Sequence, residues 1–170
     1  MKALILNSGL GSRMGVLTSE HPKCMTEVSS RETILSRQLK HIAEAGIEEV
    51  VMTTGYYDGV LVNYCESLDL PLHFTFVKNP IYDQTNYIYS IYCAKDYLDD
   101  DIILMHGDLV FETEVFDRVV ASEVSCMTVS THSSRGQGKI AYCFPSTSLK
   151  PNCGWVCLYS PNFVPCCVRP

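Results

Sequence analysis

Apolar positions along the chain come in short runs separated by stretches with helical periodicity. Ala3-Leu4-Ile5-Leu6 leads into a glycine-bearing segment, the pattern of a buried strand that ends in a loop. Ser29 and Glu32 stand at capping-box spacing, Ile34, Leu35, Leu39 and Ile42 recur at helical intervals, and Gly46 supplies a stop. Together they predict a helix over residues 30–45. Val50-Val51-Met52 before Gly55 predicts a second strand, and Val60, Leu61, Tyr64 and Leu68 a helix after it. Residues 72–77 read as a third strand. Asn79-Pro80 then interrupts the chain, Ile88, Ile91, Ala94 and Leu98 mark another helix, and residues 102–105 form an apolar strand ending at Gly107-Asp108. A helix over 115–120 and a fifth strand over 126–129 continue the alternation. Strands and helices alternating at this spacing predict an α/β fold, with a mostly parallel sheet covered on both faces.

Composition narrows this picture. With 170 residues, 46% hydrophobic and 19% charged, the chain has the size and apolar content of one globular domain. No apolar run reaches the roughly 18 to 20 residues of a membrane span, and the N-terminal run is too short for a signal peptide core, so the chain reads as soluble and cytoplasmic. A net charge of -6 without clustered Lys or Arg weighs against nucleic acid as a partner. Nine cysteines, an odd count at irregular spacings, read as reduced thiols rather than a disulfide framework. Charge is unevenly spread. All nineteen acidic residues lie at or before Glu123, while the remainder carries six of the nine cysteines and five of the eight prolines. The expected division is a core over residues 1–131 and an irregular Cys/Pro-rich tail over 132–170.

In open α/β sheets a ligand lies beyond the carboxyl ends of the strands, where strand order reverses. Three features collect at that edge: the loop after strand one, Gly55-Tyr56, and Gly107-Asp108. In the loop Asn7-Ser8-Gly9-Leu10-Gly11-Ser12-Arg13-Met14-Gly15, Gly9 and Gly11 can take dihedrals closed to other residues and so let backbone amides approach an anion. The dinucleotide pattern would need glycine where Met14 stands, and the Walker pattern is absent. What remains is G-x-G-x-R followed by Pro22-Lys23, two fixed cations behind a glycine loop, which suits a polyphosphate. Asp108 reads as a metal ligand or as the cap of the following helix, and Thr85 and Asn86 as ligand contacts or as a helix cap. His106 reads as packing or capping near its strand end. Tyr82, Tyr87, Tyr89 and Tyr92 read as core packing or as a cage for a quaternary ammonium, with Tyr89 and Tyr92 on the buried face of their helix. No His/Cys spacing makes a zinc site.

The stretch from Leu6 to Met14, followed by Pro22-Lys23, resembles the signature of nucleotidyltransferases that activate sugar phosphates and alcohol phosphates. Asn79-Pro80-Ile81-Tyr82, Thr85-Asn86 and Ser90 resemble the phosphocholine and aminoethylphosphonate cytidylyltransferase branch, and the likeness covers about residues 1 to 130. The resemblance implies a Rossmann-like three-layer α/β/α fold of the nucleotide-diphospho-sugar transferase type with an incomplete C-terminal part. It implies attack by a phosphate or phosphonate oxygen on the α-phosphorus of a nucleoside triphosphate, CTP by likeness, with Mg²⁺ as cofactor and pyrophosphate as leaving group. By the same likeness Arg13 and Lys23 are the catalytic cations, and Asn7, Ser8, Gly9, Gly11, Ser12, Gly55, Thr85 and Asn86 bind the nucleotide or the acceptor. Asp108 holds the metal. The expected partners are the triphosphate and a small phosphate or phosphonate such as phosphocholine, with no nucleic acid and no membrane. Two departures stand out. Asn7-Ser8 replaces the two alanines usual in relatives, and no acidic residue after Glu123 is left to supply a second metal carboxylate. The tail accordingly reads as truncated or as translated in a shifted frame. A sugar 1-phosphate enzyme and a non-catalytic nucleotide-binding remnant are the alternative readings.

Overall fold

A computed structural model of the chain describes residues 1–11, 14–15, 18–130, 141–145 and 156–159. The elements run β1 (Lys2–Leu6), β2 (Glu27–Ser29), β3 (Glu32–Thr33), α1 (Ile34–Glu44), β4 (Glu49–Thr54), α2 (Asp58–Ser67), β5 (His73–Lys78), α3 (Tyr87–Ala94), β6 (Ile102–His106), α4 (Thr113–Val120), β7 (Cys126–Ser130), β8 (Ala141–Pro145) and β9 (Val156–Tyr159). Among the described residues a seven-stranded sheet has the order β5-β4-β1-β6-β9-β7-β8. Its first four strands are parallel, and β9, β7 and β8 are joined to the β6 edge by antiparallel pairings. The sheet is therefore mostly parallel through its described core, with an antiparallel edge where β9 and β8 run against β6 and β7.

The central strands alternate their side chains between two apolar layers, which is why they read as unbroken hydrophobic runs. Ala3 and Ile5 of β1, Val50 and Met52 of β4, and Ile103 and Met105 of β6 pack with Leu35, Leu39 and Ile42 of α1, Leu61 and Cys65 of α2, and Phe116 and Val119 of α4. Leu4, Leu6, Val51 and Ile102 face the other way, against Ala94 of α3. The result is a three-layer α/β/α fold of Rossmann-like type. Each fully buried Leu or Ile in it contributes about 1.5–3 kcal/mol relative to exposure.

Several local expectations shift. Residues 27–33 form the β2–β3 hairpin, with Ser29 paired to Glu32, so those two residues make no capping box. The box belongs to Thr33 and Ser36: the Thr33 hydroxyl accepts from the Ser36 amide at 3.0 Å, and the Ser36 hydroxyl accepts from the Thr33 amide at 2.9 Å. Helix α1 thus begins at Ile34 rather than near residue 30. Its end is as the sequence predicts. Gly46 takes φ +74°, its N–H meets the Ala43 carbonyl at 3.0 Å and the Ile47 N–H meets the Ile42 carbonyl at 3.2 Å, a Schellman closure. Val60 and Ile88, expected on buried helix faces, are exposed, and Ser90 and Ala94 are the buried positions of α3. Tyr92 also faces solvent, where the Lys95 ammonium lies 4.5 Å above its ring. Within 132–170, β8 and β9 are regular strands of the sheet where the sequence reads as irregular.

Replacement tests the layering. Leu39→Ala empties a fully buried position and is expected to lower unfolding free energy by about 2–5 kcal/mol. Val60→Ala, at a 41% exposed site, should change it by no more than about 0.5 kcal/mol. Chemical denaturation of both variants measures the difference; equal losses would contradict the assigned faces.

Candidate active site

Strand order reverses at β1. The chain steps outward from β1 to β4 and β5 on one side, then returns to place β6 on the other. Such a switch opens a crevice beyond the carboxyl ends of the two flanking strands. Here it is a cleft of about 790 Å³ between the loop after β1 and the loop after β6. Asn7, Ser8, Gly9 and Gly11 line it together with Lys23, Thr85, Asn86, Gly107 and Asp108, and Gly107 lies directly against the Asn7 side chain. Gly55 lies against the Ser8 backbone. Ser12 and Arg13 fall outside the described residues.

Two glycines are required by close approach. A Cβ on Gly55 would collide with the Ser8 carbonyl, and one on Gly107 would overlap the Asn7 side-chain amide. In the glycine loop Gly11 and Gly15 use left-handed backbone, at φ +66° and +55°. Gly9 takes no positive φ and nothing lies near its missing side chain, so the freedom expected of Gly9 and Gly11 is used at one of the two. The loop is held from below by Thr18, which is buried. The Thr18 hydroxyl donates to the Gly11 carbonyl at 3.0 Å, and its own carbonyl accepts from the Tyr57 hydroxyl at 2.6 Å.

Lys23 sits on a single 3-10 turn, Lys23–Met25, that packs against α1, and its ammonium donates directly to the Asp108 carboxylate. Both side chains are more than a third exposed, so the pair adds at most about 1 kcal/mol of stability. Its consequence is positional: it brings a cation and a carboxylate into contact at the cleft. Asp108 offers hard oxygen ligands of the kind Mg²⁺ takes from one or two carboxylates together with substrate phosphates. Among the described residues no three His, Cys, Asp or Glu side chains converge, so a cation held by Asp108 would draw its other ligands from substrate and water. The residues present fit that mode.

Asn79, Thr85 and Ser90, which carry part of the sequence resemblance, form a hydrogen-bonded cluster along the cleft. Asn79 is buried. Its amide nitrogen donates to the Thr85 hydroxyl at 3.0 Å and the Ser90 hydroxyl at 3.1 Å, and its amide oxygen accepts from the Ile81 N–H at 3.0 Å. Thr85 donates to the Ile81 carbonyl at 2.8 Å, and Asn86 caps α3 by accepting from the Ile88 N–H at 3.0 Å. The sequence signal for this cluster was the Asn-Pro break followed by a small polar residue at each turn. Tyr82 and Tyr87 line the cleft, and Tyr87 meets the His106 ring edge-on at 5.3 Å. Burial pushes the His106 imidazole below its usual range, with Asp108 opposing the shift. Burial likewise holds the thiol of Cys24, which packs in the core, well above its ordinary range.

Comparison with known proteins accords with this geometry. A family model described as MobA-like NTP transferase domain matches residues 3–155. The chain is 35% identical over 131 residues to a CMP-5'-(3-aminopropyl)phosphonate synthase of Streptomyces rubellomurinus, covering 76% of this chain and 21% of that protein. It is 34% identical over 126 residues to a CTP:phosphoglutamine cytidylyltransferase of Campylobacter jejuni, covering 71% and 48%. The chain thus spans about half or less of the length of these relatives. Among solved structures, a CTP:phosphocholine cytidylyltransferase from Streptococcus pneumoniae aligns with a TM-score of 0.57 at 19% identity, over 92% of this chain and 66% of that one. That likeness concerns the fold.

The two glycine contacts differ in kind, and a double-mutant comparison separates them. Gly107→Ala meets a side chain, so removing it with Asn7→Ala should recover part of the lost stability, a coupling of about 0.5–3 kcal/mol. Gly55→Ala meets a backbone carbonyl, so Ser8→Ala should recover none. Denaturation midpoints of the four single and two double variants measure both; rescue of Gly55→Ala by Ser8→Ala would contradict the geometry.

Proposed function

Since the chain belongs to the MobA-like NTP transferase domain family, we propose that it transfers a nucleoside monophosphate, CMP from CTP, to a small alcohol phosphate or phosphonate and releases pyrophosphate. The observation that carries this reading is the contact of the Lys23 ammonium with the Asp108 carboxylate in the switch-point cleft that the glycine loop also lines. The relatives named for cytidylyl transfer to a phosphonate and to phosphoglutamine support the base and the acceptor class.

Each part of the chain has a task in that reaction. Backbone amides of residues 9–11 face the triphosphate, and Arg13, by likeness to the family, grips its β- and γ-phosphates. A phosphate oxygen displaces the Asp108 carboxylate from Lys23, leaving the ammonium to meet negative charge as it shifts toward the pyrophosphate and leaving Asp108 to hold Mg²⁺. When bound there, the cation supplies neutralisation of the polyphosphate charge. Asn7 and Ser8 contact the base in the cleft that Thr85 and Asn86 also line. The acceptor enters past Tyr82 and Tyr87, whose aromatic faces suit an alkylammonium head. Positioning and charge complementarity do most of the work, as in phosphoryl-group transfers at large.

Pyrophosphate release with CTP and Mg²⁺ tests the proposal, with phosphocholine, aminoethylphosphonate or glucose 1-phosphate as acceptor. Release dependent on phosphocholine or the phosphonate is expected. Release only with glucose 1-phosphate would replace the acceptor class, and silence with all three would leave a nucleotide-binding remnant. Lys23→Ala and Asp108→Asn should each lower kcat/KM by at least about 100-fold. Arg13→Ala should weaken CTP binding far more than Lys40→Ala, whose exposed ammonium pairs with Glu44 on the outer side of α1.

A further inference from the structure

Gln38 does not line the cleft, yet it is a buried polar residue bonded to the turn that carries Asp108. It lies on α1 with 1% of its surface exposed, in the stripe otherwise filled by Leu35, Leu39 and Ile42. Its amide nitrogen donates to the His106 carbonyl at 2.9 Å and to the Leu109 carbonyl at 2.8 Å. These carbonyls bracket Gly107-Asp108. The Leu109 N–H returns to the His106 carbonyl at 3.2 Å, so residues 106–109 form a tight turn whose two ends are both bonded to one side-chain amide. The orientation of that amide is dictated by its surroundings, because an oxygen in place of the nitrogen would face two carbonyl oxygens. The amide oxygen is buried and has no hydrogen-bond partner among the described residues. Burying an unsatisfied acceptor is costly, so the side chain is maintained by the two bonds its nitrogen makes.

The same helix carries the other half of the cleft. The Ile34 N–H, in its first turn, donates to the Thr26 carbonyl at 3.0 Å, directly after the 3-10 turn that presents Lys23. Helix α1 is thus the common mount of the cation and the carboxylate.

We infer that Gln38 is a positioning residue for Asp108: by clamping both ends of the 106–109 turn it fixes where the carboxylate stands relative to Lys23, and with it the affinity of the cleft for a divalent cation bound together with nucleotide. The inference rests on the assignment of Asp108 proposed above and extends it to a residue outside the cleft. Groups that orient a metal ligand without touching the metal alter metal affinity by about 10- to 100-fold when removed.

Water-proton relaxation titrations of the full chain with Mn²⁺ and CTP provide the test, alongside CTP binding in EDTA and thermal melting. Gln38→Met keeps the length of the side chain and removes the donor. It is expected to weaken Mn²⁺–CTP binding about tenfold while leaving CTP binding in EDTA unchanged. Ile42→Val, a core trim on the same helix, should lower the melting temperature and leave Mn²⁺–CTP affinity as it was. Gln38→Glu, which puts carboxylate oxygens against the two carbonyls, should repeat the loss of metal affinity and serves if Gln38→Met does not fold. Wild-type Mn²⁺–CTP affinity in the folded Gln38 variant, or an equal loss of metal-free CTP binding, would overturn the inference. Equal Mn²⁺–CTP affinity in wild type and Asp108→Asn would instead remove the Asp108 assignment on which it stands.

Discussion

β1 runs parallel between β4 and β6, and its register with β6 pairs Leu6 with His106. That pairing constrains everything downstream of it. The loop after β1 and the loop after β6 leave the sheet at the same height and on the same edge, so a glycine turn and an aspartate about a hundred residues apart in sequence line one cleft. The constraint is met by strands buried on both faces, and the chain can afford no bulk where the two loops meet: Gly107 yields its space to Asn7, and Gly55 yields its own to the Ser8 backbone. Packing of the core and shape of the cleft are one problem here, solved by the same residues.

Much of this was legible because the signals are local. A run of alternating-face aliphatics followed by Gly or Gly-Asp marks a strand end at the edge of a sheet, so Asn7 to Gly11 and Asp108 could be placed without knowing strand order. Lys23 came from spacing behind the loop, and the structure puts it against Asp108. Helix termination at Gly46 was equally plain, since a left-handed residue after an amphipathic stretch has few other uses.

What escaped the sequence is set by competition between local patterns or by contacts across it. Ser29-x-x-Glu32 and Thr33-x-x-Ser36 both offer an N-terminal cap, and the hairpin that pairs Ser29 with Glu32 decides between them in favour of the second. Ile88 and Tyr92 have helical spacing but lie on the side of α3 turned to solvent, because the small residues Ser90 and Ala94 let that helix sit close to the sheet. Gln38 occupies a core position in a run of aliphatics, where pattern alone assigns it no partner; its bonds are to carbonyls 68 and 71 residues away. The antiparallel β9 beside β6 is likewise a matter of strand order, which periodicity does not encode.

The cleft's central claim is that one edge of the sheet holds a polyphosphate between the glycine loop and a cation-bearing Asp108. Crystals grown with CTP and Mn²⁺ and measured at the manganese absorption edge test it most directly. An anomalous peak at the Asp108 carboxylate, with triphosphate density reaching from it to the amides of residues 9–11 and the Lys23 ammonium, is the predicted result. Nucleotide and manganese bound together at any other edge of the sheet would contradict it.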